Sequence, residues 1–379
     1  MGMEFTKLKT PCYVVDETLL ENNLKVLRGV MERTGAKILL AQKAFSMYEV
    51  YPLIGKYLCG ATASGLYEAR LCAEEMKGGE NHIFSPAYKE EEFEEILTYC
   101  DHLVFNSWNQ VRKFGKRAKE AGKSIGLRIN PGISTQEGHE IYDPCAMGSR
   151  LGTTYENFVK EEELVALLDG IHFHTLCEQN SDALAITLDA VEEKFGKWLP
   201  QMKWINFGGG HHITRADYDL DLLERCILRM QEKYNLMVYL EPGEAIALNA
   251  GFLLATVLET INNGISLAIL DTSAACHMPD VIEMPYRPPL QNSGQPGEKA
   301  YSYRLGGPTC LAGDIIGEYS FDKPLVEGDR LVFEDMAIYS MVKNNTFNGM
   351  ALPDIVLKEV SGDCRVVKRF SYTDFKSRL

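Results

Sequence analysis

The chain lacks the features of a membrane-spanning or secreted protein. No apolar run approaches the roughly twenty residues that a bilayer-spanning helix requires. The segment Met1–Lys7 has no apolar stretch of the signal-peptide kind. The 10 cysteines are scattered and include no Cys-x-x-Cys pair. This distribution indicates reduced thiols rather than a disulfide framework, so we expect a cytoplasmic protein with no membrane partner.

Positive charge is also scarce in this sequence. Lysine and arginine together number 39, against 53 aspartates and glutamates, which gives a formal net charge of −14. Nucleic acid is bound by basic surfaces, so the composition argues against a nucleic-acid partner. An acidic surface attracts cationic small molecules instead.

The first two thirds of the sequence contain a regular alternation of short β-type runs and amphipathic segments such as Leu66–Met76. Eight β-then-α units predict an α/β fold of the (β/α)8, TIM-like barrel type. A doubly wound sheet is the alternative, but it needs a glycine-rich turn after the first strand, where Ala41-Gln42-Lys43 stands. The predicted strands are Lys37–Ala41, Leu58–Ala63, His82–Ser85, His102–Phe105, Ser124–Asn130, Gly170–His174, Lys203–Phe207 and Leu236–Glu241.

After about Gly251 the pattern changes to an all-β one. Runs such as Thr256–Thr260 and Leu331–Phe333 alternate with turns rich in proline and glycine, such as Pro285–Gly297. The sequence therefore predicts a barrel domain over residues 20–250. We expect an all-β C-terminal domain to follow it, formed by residues 251–379 together with residues 1–19.

The residues that can carry chemistry stand at predicted strand ends, where barrels hold their sites. Lys43 follows the first strand, His174 ends the sixth, Gly208–Gly210 follow the seventh and Glu241 ends the eighth. Three glycines expose backbone N–H groups that a phosphate can approach. A carboxylate buried at a strand end needs a cationic partner, such as a protonated ring nitrogen. Together these residues indicate a phosphorylated, nitrogen-bearing cofactor.

Lys43 and Glu241 also have simpler interpretations. A lysine just past a strand is more often a solvated loop residue, and Glu241 could cap a turn. Lys43, however, follows the apolar run Ile38–Ala41, where a desolvated amine has a lowered pKa and can form a Schiff base. The first and eighth strands of a closed barrel are neighbours, so both side chains are expected at one mouth.

A metal-dependent hydrolase is a different hypothesis, based on His172-Phe173-His174. Alternation along a strand puts both imidazoles on the same face, an arrangement that can begin a metal-ligand set. His211 and His212 are the nearby residues that could extend the set, but they follow the glycines instead of ending a strand. We therefore predict no metal site and expect one of these rings to stack on a flat cofactor.

Taken together, these motifs resemble the fold-type III pyridoxal-phosphate decarboxylases, the group of ornithine, arginine and diaminopimelate decarboxylases. Singly the motifs are weak, but they occur in the order of the family and cover nearly the whole chain. They are Thr10–Asp16, Ala41–Ala44, Arg128–Gly132, Gly208–Gly210, Glu241–Gly243, Gly307–Cys310 and Met336–Tyr339.

Within this group, three further stretches are most similar to the branch that decarboxylates carboxynorspermidine or carboxyspermidine. These stretches are His174–Glu178, Leu270–Asp280 and Glu283–Pro288. The resemblance implies a carboxylated polyamine as substrate, norspermidine or spermidine as product, and a place in polyamine biosynthesis. Which of the two triamines is preferred is left open. Diaminopimelate stays as an alternative substrate.

The resemblance also implies how pyridoxal 5′-phosphate is held. Lys43 would carry the cofactor covalently, His174 would stack on its ring, and Glu241 would keep the ring nitrogen protonated. Gly208, Gly209 and Gly210 would bind the phosphate through backbone N–H groups, with help from Tyr339. A regulatory homologue without activity is a further alternative, but such proteins tend to lose the lysine or the site cysteine, and both are present here.

The remaining implied roles concern substrate and subunits. Cys310, in a loop rich in glycine and proline, would reach across a homodimer interface and take part in protonation at a shared active site. Glu178, Asp271 and Asp314 would bind the ammonium groups of the substrate. Glu244 stands where related decarboxylases have a phosphate-binding arginine, so we expect it to take no direct part in phosphate binding.

Overall fold

The computed structural model describes residues 5–136 and 143–379. Short strands alternate with helices over the first two thirds of these residues, and strands predominate afterwards. The strands are β1 (Cys12–Asp16), β2 (Lys37–Ala41), β3 (Gly60–Ala63), β4 (Glu80–Phe84), β5 (His102–Phe105), β6 (Ser124–Asn130), β7 (Thr153–Thr154), β8 (Gly170–His172), β9 (Trp204–Asn206), β10 (Met237–Leu240), β11 (Gly251–Asn262), β12 (Ser266–Leu270), β13 (Tyr301–Gly306), β14 (Ile315–Phe321), β15 (Arg330–Glu334), β16 (Asp354–Lys358) and β17 (Cys364–Lys368).

The helices include long ones between the early strands and single turns elsewhere. None of the described helices combines the length and apolar character needed to cross a membrane. The α-helices are α1 (Glu17–Thr34), α2 (Tyr51–Ile54), α3 (Leu66–Glu75), α4 (Glu90–Tyr99), α5 (Trp108–Glu120), α6 (Tyr155–Phe158), α7 (Ser181–Phe195), α8 (Leu220–Tyr234), α9 (Glu244–Ala247), α10 (Ala274–His277), α11 (Asp280–Glu283) and α12 (Tyr372–Lys376).

Eight parallel strands close into a barrel, in the order β2, β3, β4, β5, β6, β8, β9 and β10. Closure comes from the pairing of β10 with β2, in which Tyr239 lies opposite Lys37. The short β7 pairs only with the end of β6. The predicted (β/α)8 barrel followed by an all-β domain is confirmed, although several strands are shorter than predicted.

The long helices follow from capping residues and amphipathic spacing. The Asp219 side chain accepts a hydrogen bond from the Leu222 N–H at the start of α8, which satisfies one of the donors left free at a helix N-terminus. Asn235 ends the helix in the left-handed conformation, as asparagine readily does. The buried residues Leu223, Cys226, Ile227 and Met230 repeat at helical spacing, so α8 presents one apolar stripe to the barrel.

The barrel interior near the strand starts is filled by the indole of Trp204. A Cβ atom added to Gly170 would lie 2.0 Å from this ring, and one added to Gly126 would lie 2.3 Å from it. Glycines on β6 and β8 therefore make the space that the indole occupies. The Trp204 Nε1–H donates to Ser124 Oγ at 2.9 Å, which satisfies its polar group inside the barrel.

The chain divides into two compact units. One unit is Asn22–Ile246, and the other joins the described part of Met1–Glu21 to Ala247–Leu379. These limits lie within a few residues of the predicted 20–250 and 251–379. The second unit is built on one sheet with the strand order β14, β13, β12, β11, β1, β16, β17, while β15 also pairs with β11.

Candidate active site

Four neighbouring strands of the barrel end in the residues that the sequence singled out. Lys43 follows β2 and Glu241 follows β10, and these two strands pair with each other. The glycines follow β9, and His174 lies two residues beyond β8. Because β10 pairs with β9, and β9 with β8, all these residues stand at one end of the barrel. The expectation that Lys43 and Glu241 share this end is therefore met by the strand order.

Glu241 is a buried carboxylate with a donor at each oxygen. Its exposed fraction is 6%. Asn206 Nδ2 donates to Glu241 Oε1 at 2.8 Å, and His172 Nε2 lies 3.2 Å from Oε2. Burial alone would raise the pKa of Glu241, but His172 and Asn206 outweigh it and hold the pKa at about 2. Glu241 is therefore ionised at neutral pH.

The Lys43 side chain is accessible to solvent, although protein atoms surround its amine. Burial lowers the pKa of this amine, and the positive charge of Arg128 lowers it further, against the opposing effect of Glu241. A lowered pKa increases the share of neutral amine, which is the form that attacks a carbonyl. Arg128 belongs to the sequence motif Arg128–Gly132, which does not by itself indicate a positive charge near Lys43.

The glycine segment after β9 leaves no room for side chains. A Cβ on Gly209 would lie 2.5 Å from the Glu241 carbonyl oxygen and 3.1 Å from His174 Cε1. Gly210 has a φ of +82°, and a Cβ there would lie 1.9 Å from the Leu176 carbonyl oxygen. Only glycine fits both positions, so backbone alone lines this part of the site.

His174 lies directly against these glycines. The Gly209 N–H donates to His174 Nδ1 at 3.3 Å. Burial, followed by the positive charge of Lys43, holds the pKa of His174 well below its ordinary value. The imidazole is therefore neutral, and its Nδ1 can accept the hydrogen bond.

Glu178 and Glu244 form a carboxyl pair at the same end of the barrel. The pKa of Glu178 is raised to about 7, first by burial and then by the negative charge of Glu244, to which it is also hydrogen-bonded. His212 Nε2 lies 3.2 Å from Glu244 Oε2. The negative charge of Glu244 also raises the pKa of Lys43, as the smallest of the effects on that amine. Glu244 thus contacts an acid and a histidine at the position where related decarboxylases have arginine.

The described residues give little support to a metal site built on His172 and His174. Within residues 5–136 and 143–379, two groups place three possible ligand atoms within 4.8 Å of one another. Neither group contains His172 or His174, whose ring nitrogens contact Glu241 and Gly209 instead. The two groups are Glu80, His82 and His102, and Glu178, His212 and Glu244.

The second unit carries Cys310 on an exposed loop that Asp314 organises. Asp314 is buried, with an exposed fraction of 3%. Its Oδ1 accepts from Ser273 Oγ at 2.9 Å, and its Oδ2 accepts from Thr309 Oγ1 at 2.7 Å. The Cys310 N–H donates to Asn348 Oδ1 at 2.6 Å. Both ends of the cysteine loop are thereby fixed within this unit.

Asp271 and Tyr339 lie in the same unit as Cys310. Asp271 Oδ1 accepts a hydrogen bond from the Thr256 N–H at 2.8 Å, which joins the end of β12 to β11. Tyr339 is half-buried and has a φ of +54° in the segment after β15. Five of the predicted positions or motifs belong to the barrel unit: Lys43, His174, Glu178, Gly208–Gly210 and Glu241. The others, Cys310, Asp314, Asp271 and Tyr339, belong to the second unit.

Comparison with known proteins decides the family. The family described as pyridoxal-dependent decarboxylase, C-terminal sheet domain, matches residues 12–337. The chain belongs to the pyridoxal-dependent decarboxylases. It is an enzyme of the carboxy-lyase type whose cofactor is pyridoxal phosphate. The predicted family, reaction class and cofactor are confirmed.

Relatives of this decarboxylase cover almost its entire length. It is 43% identical to a carboxynorspermidine/carboxyspermidine decarboxylase of Campylobacter jejuni, over 99% of this chain and 100% of the relative. It is 40% identical to a carboxyaminopropylagmatine decarboxylase of Synechocystis, over 99% of this chain and 96% of the relative. A crystal structure of carboxynorspermidine decarboxylase from Campylobacter jejuni, complexed with norspermidine, superimposes with a TM-score of 0.91 at 42% identity. That comparison covers 98% of this chain and 100% of the other.

The barrel site of this decarboxylase fits pyridoxal phosphate. The buried Glu241 carboxylate, with a pKa of about 2, matches a protonated ring nitrogen in charge. Lys43 supplies an amine with a lowered pKa, and Gly209 and Gly210 form a segment without side chains, because a Cβ at either position would overlap neighbouring backbone. The donor set thus has an anion for the ring, a nucleophile for the aldehyde and a side-chain-free segment for the phosphate.

Sequence reasoning missed two partners of Glu241. Asn206 and His172 are the last residues of β9 and β8, and they lie opposite each other in the parallel ladder. The sequence does contain an indication of both, since each residue is polar and ends an apolar strand just before a predicted site residue. The sequence alone could not show that their side chains converge on one carboxylate.

Proposed function

We propose that this decarboxylase converts carboxynorspermidine or carboxyspermidine into norspermidine or spermidine and carbon dioxide. The observation that carries the proposal is the pair of carboxyl groups on Glu178 and Glu244, near enough to Lys43 for Glu244 to influence its pKa. A triamine substrate carries ammonium groups that such a pair attracts. The Campylobacter jejuni relatives support the same substrate class.

The proposed cofactor ligands are all in the barrel unit except Tyr339. Lys43 binds the cofactor covalently, and the ionised Glu241 keeps its ring nitrogen protonated. When bound, pyridoxal phosphate supplies an electron-accepting ring that stabilises the negative charge left behind by the departing carboxylate. His174, neutral and held by Gly209, stacks on the ring. Gly208–Gly210 and Tyr339 form the proposed phosphate site. Its proposed backbone donor is the Gly210 N–H, since the N–H groups of Gly208 and Gly209 donate to Asn206 Oδ1 and His174 Nδ1.

We propose Cys310 as the group that delivers a proton to the substrate carbon after carbon dioxide is lost. Asp314 and Asn348 hold its loop through the hydrogen bonds described above. A carboxylate has about four acceptor positions, and Asp314 uses three of them on Ser273, Ala275 and Thr309. One position therefore remains for an ammonium group. Asp271 stays a proposed substrate residue as well.

We further propose a homodimer in which Cys310 serves the partner subunit's cofactor, as the family resemblance implies. The exposed position of Cys310 in its own unit is consistent with such a role. A cytoplasmic location is also proposed, since all ten cysteines are free thiols, as is usual in that compartment.

A second substrate is favoured by one specific observation, the 40% identity to a carboxyaminopropylagmatine decarboxylase. The guanidinium end that its name implies is cationic and would also suit the acids Glu178 and Glu244. Diaminopimelate is a poorer candidate, because its second carboxylate would face this negative pair. Like charges brought close together in a partly buried site repel.

Cofactor absorbance and a substrate panel test the proposal. The purified protein should show the visible or near-ultraviolet absorbance of bound pyridoxal phosphate, and Lys43→Ala should lose it. Lys56→Ala, at an exposed position, is the control and should keep it. Carbon dioxide release is then compared for carboxynorspermidine, carboxyspermidine, carboxyaminopropylagmatine and diaminopimelate. A preference for diaminopimelate would overturn the substrate assignment.

A further inference from the structure

His172 is a buried, titratable residue to which the proposed function assigns no role. It is the last residue of β8, and its exposed fraction is 1%. Its Nε2 lies 3.2 Å from Glu241 Oε2. Its Nδ1 is buried without a hydrogen-bond partner within the described ranges 5–136 and 143–379. A lone buried nitrogen of this kind needs a physical explanation.

The contact with Glu241 fixes the tautomer of His172. An ionised carboxylate only accepts hydrogen bonds, so the Nε2 of His172 must carry the proton that it shares with Glu241. The ring is neutral, because burial lowers the pKa of His172 more than Glu241 raises it. In a neutral imidazole the other nitrogen is then a bare acceptor. The unpartnered Nδ1 is thus the consequence of directing Nε2–H at Glu241.

The orientation of the His172 ring is fixed by its neighbours. The ring stacks on Phe84 with centroids 5.6 Å apart and an interplanar angle of 15°. The Arg128 guanidinium lies over the same Phe84 ring at 4.6 Å, and Arg128 Nη2 donates to the His174 carbonyl at 2.9 Å. This packed set leaves His172 in one orientation, with its N–H aimed at the carboxylate.

We propose that His172 is a positioning residue that keeps Glu241 ionised and correctly oriented for the ring nitrogen of the cofactor. The proposal rests on the role of Glu241 in the proposed function, and it assigns no cofactor contact to His172 itself. Asn206 holds one carboxylate oxygen and His172 holds the other. Each oxygen keeps a further acceptor position free, so Glu241 can still receive the ring N–H.

The amides of glutamine and asparagine allow a matched test. The side-chain nitrogen of glutamine can reach the position of histidine Nε2, whereas that of asparagine is too short and reaches only the Nδ1 position. His172→Gln should therefore retain the bond to Glu241, and His172→Asn should lose it. His211→Leu is the control, because His211 is also buried with an unpartnered Nδ1 but contacts the Phe207 carbonyl instead.

Retention of pyridoxal phosphate during acid titration is the first readout. Without the His172 bond the pKa of Glu241 rises from about 2 towards its ordinary value, so the ring loses its anionic partner at a higher pH. We expect His172→Asn to release the cofactor about one pH unit above wild type. At pH 7 Glu241 stays ionised, so the binding that we expect to be about tenfold weaker there would come from the lost orientation of its carboxylate. The charged or titratable groups that face this pair are Lys43, His82, Arg128 and His174, and they are unchanged in all variants.

Steady-state kinetics give the second readout. A Glu241 carboxylate that has lost one of its two donors is less well oriented towards the ring nitrogen, which affects the chemical step, so His172→Asn should lower kcat about tenfold and leave KM for the substrate nearly unchanged. His172→Gln and His211→Leu should stay within about twofold of wild type. Melting of each cofactor-free protein shows whether a variant folds. If His172→Asn folds but keeps wild-type cofactor affinity and acid stability, or if His172→Gln is equally impaired, the proposal is wrong. A protein that never binds the cofactor would refute the proposed function instead.

Discussion

The carboxyl pair of Glu178 and Glu244 makes a sharp prediction about pH. The two groups share a hydrogen bond, so just below the pKa of Glu178 the pair holds one proton and carries a single negative charge. Glu178 has a raised pKa, and such a group loses its proton as the pH rises through that value. Substrate ammonium groups should therefore bind more tightly above this pH than below it. Glu178→Gln is the perturbation that removes the titration.

The size of the effect follows from the pKa of Glu178. With a value of about 7, the last proton of the pair is absent from about 10% of molecules at pH 6 and from about 90% at pH 8. If the doubly ionised pair is the binding form, kcat/KM should rise about ninefold across this range. A charge-assisted hydrogen bond contributes about 1.5–3 kcal/mol. Because Glu178 is exposed, we expect Glu178→Gln to lose binding free energy at the lower end of this range. That loss corresponds to a rise in KM of about tenfold at pH 8.

The assay is carbon dioxide release from carboxynorspermidine between pH 6 and pH 8.5. Inhibition by norspermidine over the same range separates binding from chemistry, because the product has no carboxylate to lose. Glu178→Gln and Glu244→Gln should both flatten the pH dependence of the inhibition constant. Glu75→Gln, at an exposed site at the end of α3, is the control and should keep the wild-type slope.

Two results would refute this reasoning. One is a wild-type inhibition constant for norspermidine that does not change between pH 6 and pH 8. The other is a Glu178→Gln variant that keeps the wild-type slope, which would assign the titration to another group. In either case the pair would not be the receptor for the ammonium groups.

The remaining predictions concern subunits and folding. Mixing Lys43→Ala with Cys310→Ala should restore about a quarter of the sites through hybrid dimers, since half of the dimers are hybrids with one intact site each; no recovery after confirmed subunit exchange would argue against shared sites. Gly170→Ala should lower the free energy of unfolding in urea by about 2 kcal/mol or more, because its Cβ would overlap the Trp204 ring. Gly65→Ala, with open space around its Cβ position, should change it far less, and equal losses would contradict the packing argument.

Local pattern was enough to predict the barrel and the strand ends of its site. Five barrel strands (β3, β4, β5, β8 and β9) are short runs followed by a long helix, and the buried face of α8 shows the apolar stripe that makes such a helix predictable. Barrel closure then places Lys43 beside Glu241 without any further information, because the first and last barrel strands must pair. The triple glycine could be interpreted from sequence as well. Three glycines in a row indicate a segment whose backbone lies too close to other backbone for side chains to fit.

Contacts between distant parts of the sequence could not be predicted in this way. The convergence of Asn206 and His172 on Glu241 depends on the register of β8 against β9, and neither residue shows that register by itself. The hydrogen bond from Ser273 to Asp314 joins residues 41 positions apart. Asp314 was predicted as a substrate residue, and its hydrogen bonds add an organising role that no local motif indicates.

Glu244 shows how a single charge reversal changes the balance of such a site. An arginine at this position would add positive charge to this end of the barrel, whereas Glu244 adds negative charge that raises the pKa of Glu178. Below the pKa of Glu178 the substrate-free pair shares a proton and carries one negative charge instead of two, which limits its repulsion of an anionic cofactor. An arriving ammonium group favours the doubly ionised form and displaces the shared proton. The same pair can therefore tolerate an anionic cofactor and attract a cationic substrate.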